Sequence, residues 1–272
     1  MLTFLTIDKA ESLLFPIRSR ISAETKNLGG IEIKHIKCIH RRGKIPYEKI
    51  RKLSGNESDR LLTKEDLILP EKSGLRRFYC SEFASRLCLN TAIEILKDLG
   101  SLSDNIRTAV YDPDGRIADG AGALLKFTNS LTVVTRMTGL YSAEAERIMN
   151  ESGAFLNVSK GMKSLEKAKL IVAPHKLKTR LPVSRDAVIL TVEPPAVSQK
   201  CGVYFKYYFN LPEELKELCT DGFESSYIAS ALYTLLGRFD LGSAVPQAIK
   251  GDVAAHTLVS LNKYLINIGS NT

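Results

Sequence analysis

A run of small and β-branched apolar residues ends in a glycine-studded turn at Ala109–Gly122, AVYDPDGRIADGAG. Gly115, Gly120 and Gly122 follow the strand and Arg116 could neutralise a phosphate, while Gly120 and Gly122 read more plainly as letting a helix sit close on the sheet. Phosphate binding between a strand and a helix is the chemistry such a turn suggests. Its acidic residues argue the other way. The fingerprint G-x-G-x-x-G uses its glycines for a tight turn, for close approach of a pyrophosphate and for helix packing. Aligned on the strand TAVY, those three positions hold Asp112, Asp114 and Ile117. Each carboxylate beside a pyrophosphate would repel it by about a kcal/mol or more. Pro113 also removes a backbone donor, and no G-x-x-x-x-G-K-[ST] loop is present.

The other candidates stand where apolar runs end: Arg136, Ser159, His175 with Lys176, and Glu193. Ligands of α/β sheets bind at the carboxyl ends of strands. Arg136, closing LTVVTR, could meet a ribose 2′-phosphate, or pair as a surface residue with a nearby carboxylate. His175 in VAPHK could serve as acid or base near neutral pH, with Lys176 assisting proton transfer. The plainer reading of His175 is a loop residue beside a chain reversal at Pro174. Tyr204, Tyr207 and Tyr208 read as packing residues of a strand, and no G-x-S-x-G nucleophile elbow occurs.

These residues need elements to hold them. LTFLTI and IEIKHIKCIH read as strands, with a helix near Ala10 to Ser22 between them. Pro46 opens a short helix to Leu53, which Gly55 ends, and DLILP reads as a short strand. SEFASRLCLNTAIEILKDLG has the apolar spacing of a helix, stopped by Gly100. A regular alternation follows. Strands IRTAVYD, SLTVVTR, AFLNVS and KLIVAP are separated by expected helices RIADGAGALLKF, SAEAERIMNES (Ser142 as N-cap) and GMKSLEKA. DAVILTVEPP and GVYFKYYF continue as strands. FESSYIASALYTLLGRF and VPQAIKGDVAAHTLVSLNKYLIN read as helices. Short apolar strands alternating with helices predict a parallel sheet covered on both faces. The expected fold is therefore α/β: a Rossmann-like, mostly parallel sheet domain at 101–210, a smaller N-terminal α/β domain at 1–100, and C-terminal helices at 211–272 packing back on them.

From Leu89 to Pro174 this order of features resembles the NAD(P)-binding domain shared by shikimate dehydrogenases and glutamyl-tRNA reductases. The parts that carry it are LNTAIEILKDLG before IRTAVYD, then LTVVTR, SAEAERIMNESGA, SLEKA and KLIVAP. LTVVTR is similar to the strand that ends in Asn-Arg-Thr in those families. The resemblance implies a Rossmann-like fold, and for Arg136 a place against the NADP 2′-phosphate. It does not extend to the cofactor motif, which Asp112, Asp114, Gly115 and Arg116 replace.

Composition narrows the partners. The 272 residues carry a formal charge of +8, yet the basic residues are dispersed. The densest run, His40 to Gly55, offers only Tyr47 for base stacking, so a solvated face is favoured over a nucleic-acid site. No stretch has the length of a membrane span, and the N-terminus reads as part of the fold rather than a signal. Cys38, Cys80, Cys88, Cys201 and Cys219 form no C-x-x-C pair, which suggests reduced thiols in a cytoplasmic protein. His35, His40, His175 and His256 show no zinc spacing. The favoured function is a Rossmann-like protein with a degenerate dinucleotide loop. It would bind a non-standard small ligand or act as a regulatory or scaffold module, with no cofactor in the standard pose and with homo-oligomer formation open to it. The alternatives are an NADP-dependent oxidoreductase, with its substrate cleft between two domains, and a nucleic-acid-binding protein.

Overall fold

The computed structural model describes residues 1–9, 19–40, 45–211, 213, 215, 216, 222–237, 240–252 and 254–269. It divides into two units. The first comprises Met1–Cys80 and Asn210–Phe239; the second comprises Ser81–Phe209 and Asp240–Thr272.

The first unit is built on a four-stranded sheet. Its strands are β1 (Leu2–Lys9), β2 (Arg20–Leu28), β3 (Ile31–His40) and β4 (Leu62–Thr63), in the order β2-β3-β1-β4. β1 lies parallel to β3 and β4, while β2 and β3 are antiparallel. β3 alternates as its sequence predicts, burying Ile31, Ile33, Ile36 and Cys38. Helix α1 (Tyr47–Ser54) adds Ile50 to the core formed with Leu5, Ile36 and Leu61, and it stops at Gly55, whose φ is +59°. Two expectations change here. The segment Arg20–Ser22 begins β2 rather than closing a helix, and the rest of that expected helix, residues 10–18, lies outside the described residues. DLILP forms no strand: Leu67 and Leu69 are half-buried, Ile68 is exposed, and no backbone ladder takes the segment up.

The second unit carries an eight-stranded sheet. Its strands are β5 (Thr108–Tyr111), β6 (Leu131–Val134), β7 (Asn157–Ser159), β8 (Leu170–Ala173), β9 (Val188–Thr191), β10 (Gly202–Tyr208), β11 (Ala248–Gly251) and β12 (Ala255–Thr257). The spatial order is β12-β11-β10-β9-β8-β5-β6-β7. β5 to β10 are mutually parallel, and β11 and β12 extend the edge antiparallel. In order of appearance the parallel strands run 3-2-1-4-5-6, which is the Rossmann arrangement. All residues of β8 and β9 are buried, as continuous apolar strands covered on both faces require.

Helix α2 (Ser81–Leu99) packs against β8 and β9 through a buried stripe that includes Leu87, Cys88, Ile95 and Leu96. This burial places α2 with the parallel sheet, so the division falls at residue 80 rather than near residue 100. Asn90 donates to the carbonyls of Leu241 (2.9 Å) and Ala244 (3.0 Å), which holds the C-terminal segment against α2. Helix α3 (Thr138–Ser152) joins β6 to β7 and ends at Gly153, φ +70°. It starts before Ser142, the expected cap. Thr135 Oγ1 instead accepts the Met137 N–H at 2.9 Å, one residue ahead of the helix.

The remaining connections depart from expectation. After β5 there is no α-helix, only a tight 3-10 turn at Ala121–Lys126. Gly120 and Gly122 each cost about 1 kcal/mol of helix propensity relative to Ala, and both admit close neighbours. A Cβ on Gly122 would stand 2.4 Å from Ile148 Cδ1, and one on Gly120 would stand 2.0 Å from an Arg86 nitrogen. The short helix expected in GMKSLEKA is likewise a 3-10 turn, Met162–Leu165. Residues 174–187 cross from β8 to β9 without a helix. In the tail, Ser225–Thr234 forms helix α4, in the first unit, as its apolar spacing predicts. The last expected helix is a hairpin first: β11 and β12 pair before helix α5 (Leu258–Gly269) begins. Ile249 is fully buried there, and pairing with β10 satisfies backbone that a helix would have satisfied internally.

Candidate functional site

β5 and β8 are neighbours in the sheet, yet the chain leaves them in opposite directions, to β6 and to β9. Their carboxyl ends therefore flank the topological switch point, where open α/β sheets bind ligands. Asp112 follows β5, and Pro174 and His175 follow β8.

Asp112 is fully buried. Its Oδ2 accepts the backbone N–H of Ile117 at 3.0 Å and the hydroxyl of Tyr141 at 2.7 Å. The carboxylate thus folds into its own turn and takes the inward-facing donor of the segment that follows. A dinucleotide phosphate would need such donors, and it would need the N-terminus of a helix behind them. Here a side-chain carboxylate holds the donor and a 3-10 turn stands in the helix's place. The residues of this turn do not fit a pyrophosphate in the standard pose. Gly115 keeps the turn closed with φ +74°, and a Cβ there would meet Leu140 at 3.0 Å. Its left-handed backbone serves the loop's own geometry.

Tyr141 has no signal in the sequence as a site residue. It lies 29 positions from Asp112, on α3, fully buried, and burial followed by the Asp112 charge raises its pKa. It remains a hydroxyl donor throughout the accessible pH range.

Two buried polar atoms at the switch point have no partner among the described residues: Asp112 Oδ1 and His175 Nδ1. Buried polar atoms in native proteins are nearly always paired, by protein, water or ligand. The His175 ring lies against Tyr111, with centroids 5.1 Å apart. Burial lowers its pKa below 6.5; the Asp112 charge opposes this, Arg116 adds to it, and smaller effects of Asp114 and Arg136 offset each other in sign. At pH 7 the ring is accordingly neutral, and one of its nitrogens is an acceptor. The His175 carbonyl accepts from Thr191 Oγ1 at 2.7 Å, and the Thr191 carbonyl accepts from Tyr207 at 2.8 Å. Cys88 Sγ lies 3.2 Å from that same Tyr207 hydroxyl. Burial pushes the Cys88 thiol up to about 12, so it is an inert packing group.

The other sequence candidates separate into pairs. Arg116 Nη1 donates to the Pro174 carbonyl at 3.3 Å, tying the turn after β5 to the end of β8; Ser85 of α2 donates to the same carbonyl at 3.1 Å. Arg136 pairs with Asp114 at 2.5 Å, with side-chain exposures of 76% and 49%. An ion pair this exposed contributes about 0–1 kcal/mol and exchanges easily for another anion. Lys176 is drawn to Glu193, 3.3 Å away, and both are exposed. Although adjacent in sequence, His175 and Lys176 are engaged with different neighbours. Ser159 Oγ accepts the Gly161 N–H at 3.1 Å and lies 3.1 Å from Ser164 Oγ.

In the basic run, residues 41–44 lie outside the described residues. Tyr47, its one aromatic, packs half-buried against the Leu5–Ile36–Ile50 core. Among the described residues no group of His, Cys, Asp and Glu is arranged to hold a metal ion, and no helix is long and apolar enough to cross a membrane.

No family model matches the chain. No curated protein matches it either. Solved structures that it is similar to include shikimate 5-dehydrogenase from Thermus thermophilus in complex with NADP(H) and shikimate. That likeness has 13% identity, covers 100% of this chain and 99% of that one, and has a TM-score of 0.34. Quinate dehydrogenase from Corynebacterium glutamicum in complex with NAD is 12% identical, over 85% of this chain and 88% of that one, with a TM-score of 0.33. Δ1-Pyrroline-2-carboxylate reductase from Thermococcus litoralis, in complex with NADH and L-proline, is 12% identical over 40% of this chain, with a TM-score of 0.30; the match spans 36% of that reductase. Shikimate dehydrogenase, one of the two groups that the sequence resemblance names, is among the structures this chain is similar to.

Proposed function

We propose that the second unit is a Rossmann-like ligand-binding module whose phosphate position is filled from within. The observation that carries this reading is the Asp112 carboxylate bonded to the Ile117 N–H and the Tyr141 hydroxyl inside the turn. The ligand is a small molecule other than a dinucleotide in the standard pose. It binds at the carboxyl ends of β5 and β8, where Asp112 Oδ1 and His175 Nδ1 await hydrogen-bond partners. The carboxylate favours a ligand that brings a hydrogen-bond donor, and neutral His175 Nδ1 accepts or donates according to its tautomer. No reaction follows from these groups alone, and the role is that of a binding or regulatory module in the cytoplasm.

Exposed Arg136 at the end of β6 favours a second reading, an NADP-dependent oxidoreductase. For that, the Asp114 pairing would yield to a 2′-phosphate and the Asp112 carboxylate would leave the turn. Thermal shift with NADPH and NADH separates the two, because a ligand of the folded state raises apparent stability. The module reading expects no shift with either, and no backbone amide changes at Asp112–Gly115. Tight NADPH binding with changes at those amides, weakened by Arg136→Ala more than NADH binding is, would replace it with the oxidoreductase.

A further inference from the structure

The opposite end of the sheet from the switch point carries an open, solvent-exposed cleft of about 500 Å³. Its lining includes Glu166, Arg180, Leu181, Pro182, Ser184 and Lys200. Glu166 precedes β8, Ser184 precedes β9 and Lys200 precedes β10, so the cavity sits at the amino ends of these parallel strands. Its volume falls within the range of small-molecule sites, about 300–1,000 Å³.

The walls are braced. Gln199 Nε2 donates to the carbonyls of Thr179 (3.0 Å) and Val197 (2.8 Å), and its Oε1 accepts the Leu181 N–H at 2.9 Å. One amide side chain thereby locks the 179–181 segment to the 197–199 segment. Arg180 is anchored by its Nε, which donates to the Ser198 carbonyl at 3.1 Å. That bond leaves the terminal guanidinium nitrogens, the pair that grips a carboxylate with two parallel bonds, without a hydrogen-bond partner among the described residues. Among the described residues, neither the Lys200 ammonium nor the Glu166 carboxylate has an ion-pair partner. Glu166, Arg180 and Lys200 are all exposed around the cleft, so a ligand there meets charges of both signs.

We propose that this cavity binds a small amino dicarboxylate, of the class of acidic α-amino acids. Two cations and one carboxylate match a ligand with two carboxylates and one ammonium group. Arg180 takes one carboxylate bidentately, Lys200 the other, and Glu166 the ammonium, while Leu181 and Pro182 supply apolar contact for the methylenes. The Glu166 charge disfavours phosphates and plain dicarboxylates, which have nothing to offer it. The site is separate from the switch-point crevice and stands or falls independently of the function proposed there.

Calorimetric titration of the full chain with L-glutamate, glutarate, L-glutamine and inorganic phosphate tests this, with amide NMR to locate the binding. L-Glutamate is expected to bind in the micromolar to millimolar range, perturbing amides at 180–184, and Arg180→Gln or Lys200→Gln to weaken it about tenfold. Glu166→Gln should weaken L-glutamate while leaving glutarate unchanged or improved. These side chains are exposed, and circular dichroism melts confirm that the variants fold. The proposal is overturned if glutarate or phosphate binds as tightly as L-glutamate. It is equally overturned if the three substitutions leave L-glutamate binding unchanged, or if no binding is seen up to about 10 mM.

Discussion

Removing the Asp112 carboxylate should be among the most damaging single changes in the second unit. Asp112→Ala strips the acceptor from two buried donors at once, the Ile117 N–H at 3.0 Å and the Tyr141 hydroxyl at 2.7 Å. Each abandoned buried donor costs about 1–3 kcal/mol. Partial relaxation of the turn brings the expected total to about 3–4 kcal/mol. Tyr141→Phe removes only one bond and leaves Asp112 Oδ2 with the Ile117 N–H, so it should cost about 1–2 kcal/mol. Asp112→Asn keeps a carbonyl oxygen that can accept both donors and loses only the charge assistance, about 1 kcal/mol. The assay is urea unfolding of the wild type, the three single variants and the double variant Asp112→Ala/Tyr141→Phe. A shift in midpoint at constant slope reads the stability change. Because the hydroxyl bond is already absent in one partner, the double variant should cost less than the sum of the singles by about 1–2 kcal/mol. A cost below about 1 kcal/mol for Asp112→Ala, or strict additivity in the cycle, would refute the buried carboxylate as the keystone of this turn.

Gly122→Ala should destabilise by about 1–3 kcal/mol, because the added methyl falls 2.4 Å from Ile148 Cδ1 and 2.9 Å from Glu144 Oε1; a thermal melt reads it. Gly115→Ala forces a side chain into φ +74° and against Leu140, and should cost about 1 kcal/mol by the same measurement. Because burial lowers the His175 pKa below 6.5, the unfolded chain binds its proton first. Its contribution to stability is therefore complete above about pH 6.5 and is lost as pH falls from there toward the folded-state value. Urea midpoints measured from pH 7.5 to 5 should show this slope, and His175→Asn should flatten it. An unchanged slope in His175→Asn would assign the acid sensitivity to other groups.

Much of the second unit is legible in the chain. β5, β6, β8 and β9 are short β-branched runs bounded by polar turns, and they bury Thr108–Val110 and all of Leu170–Ala173. α2 announces itself by spacing and by Gly100. The connection after β5 does not. Periodicity in RIADGAGALLKF suits a helix, but Gly120 and Gly122 answer to Arg86, Leu89 and Ile148, which lie far off in the chain. The same holds for the tail. AIKG and AHT become β11 and β12 because β10 offers an open edge, and an edge is not written locally.

The candidate site divides along the same line. That Asp112 and Asp114 occupy the positions of a phosphate turn's glycines is a property of the sequence, read from order along one strand and one loop. It determines that the glycines of the usual pyrophosphate turn are absent at these positions and that Pro113 offers no backbone donor, since both travel with the residues themselves. What replaces that grip is decided only in three dimensions. Tyr141 reaches Asp112 across 29 positions, His175 reaches Tyr111 across the β5–β8 seam, and Arg180, Lys200 and Glu166 line one cleft. Contacts between strand ends depend on sheet order, and sheet order is set by which apolar faces pack together, a sum over the whole chain that no local pattern contains.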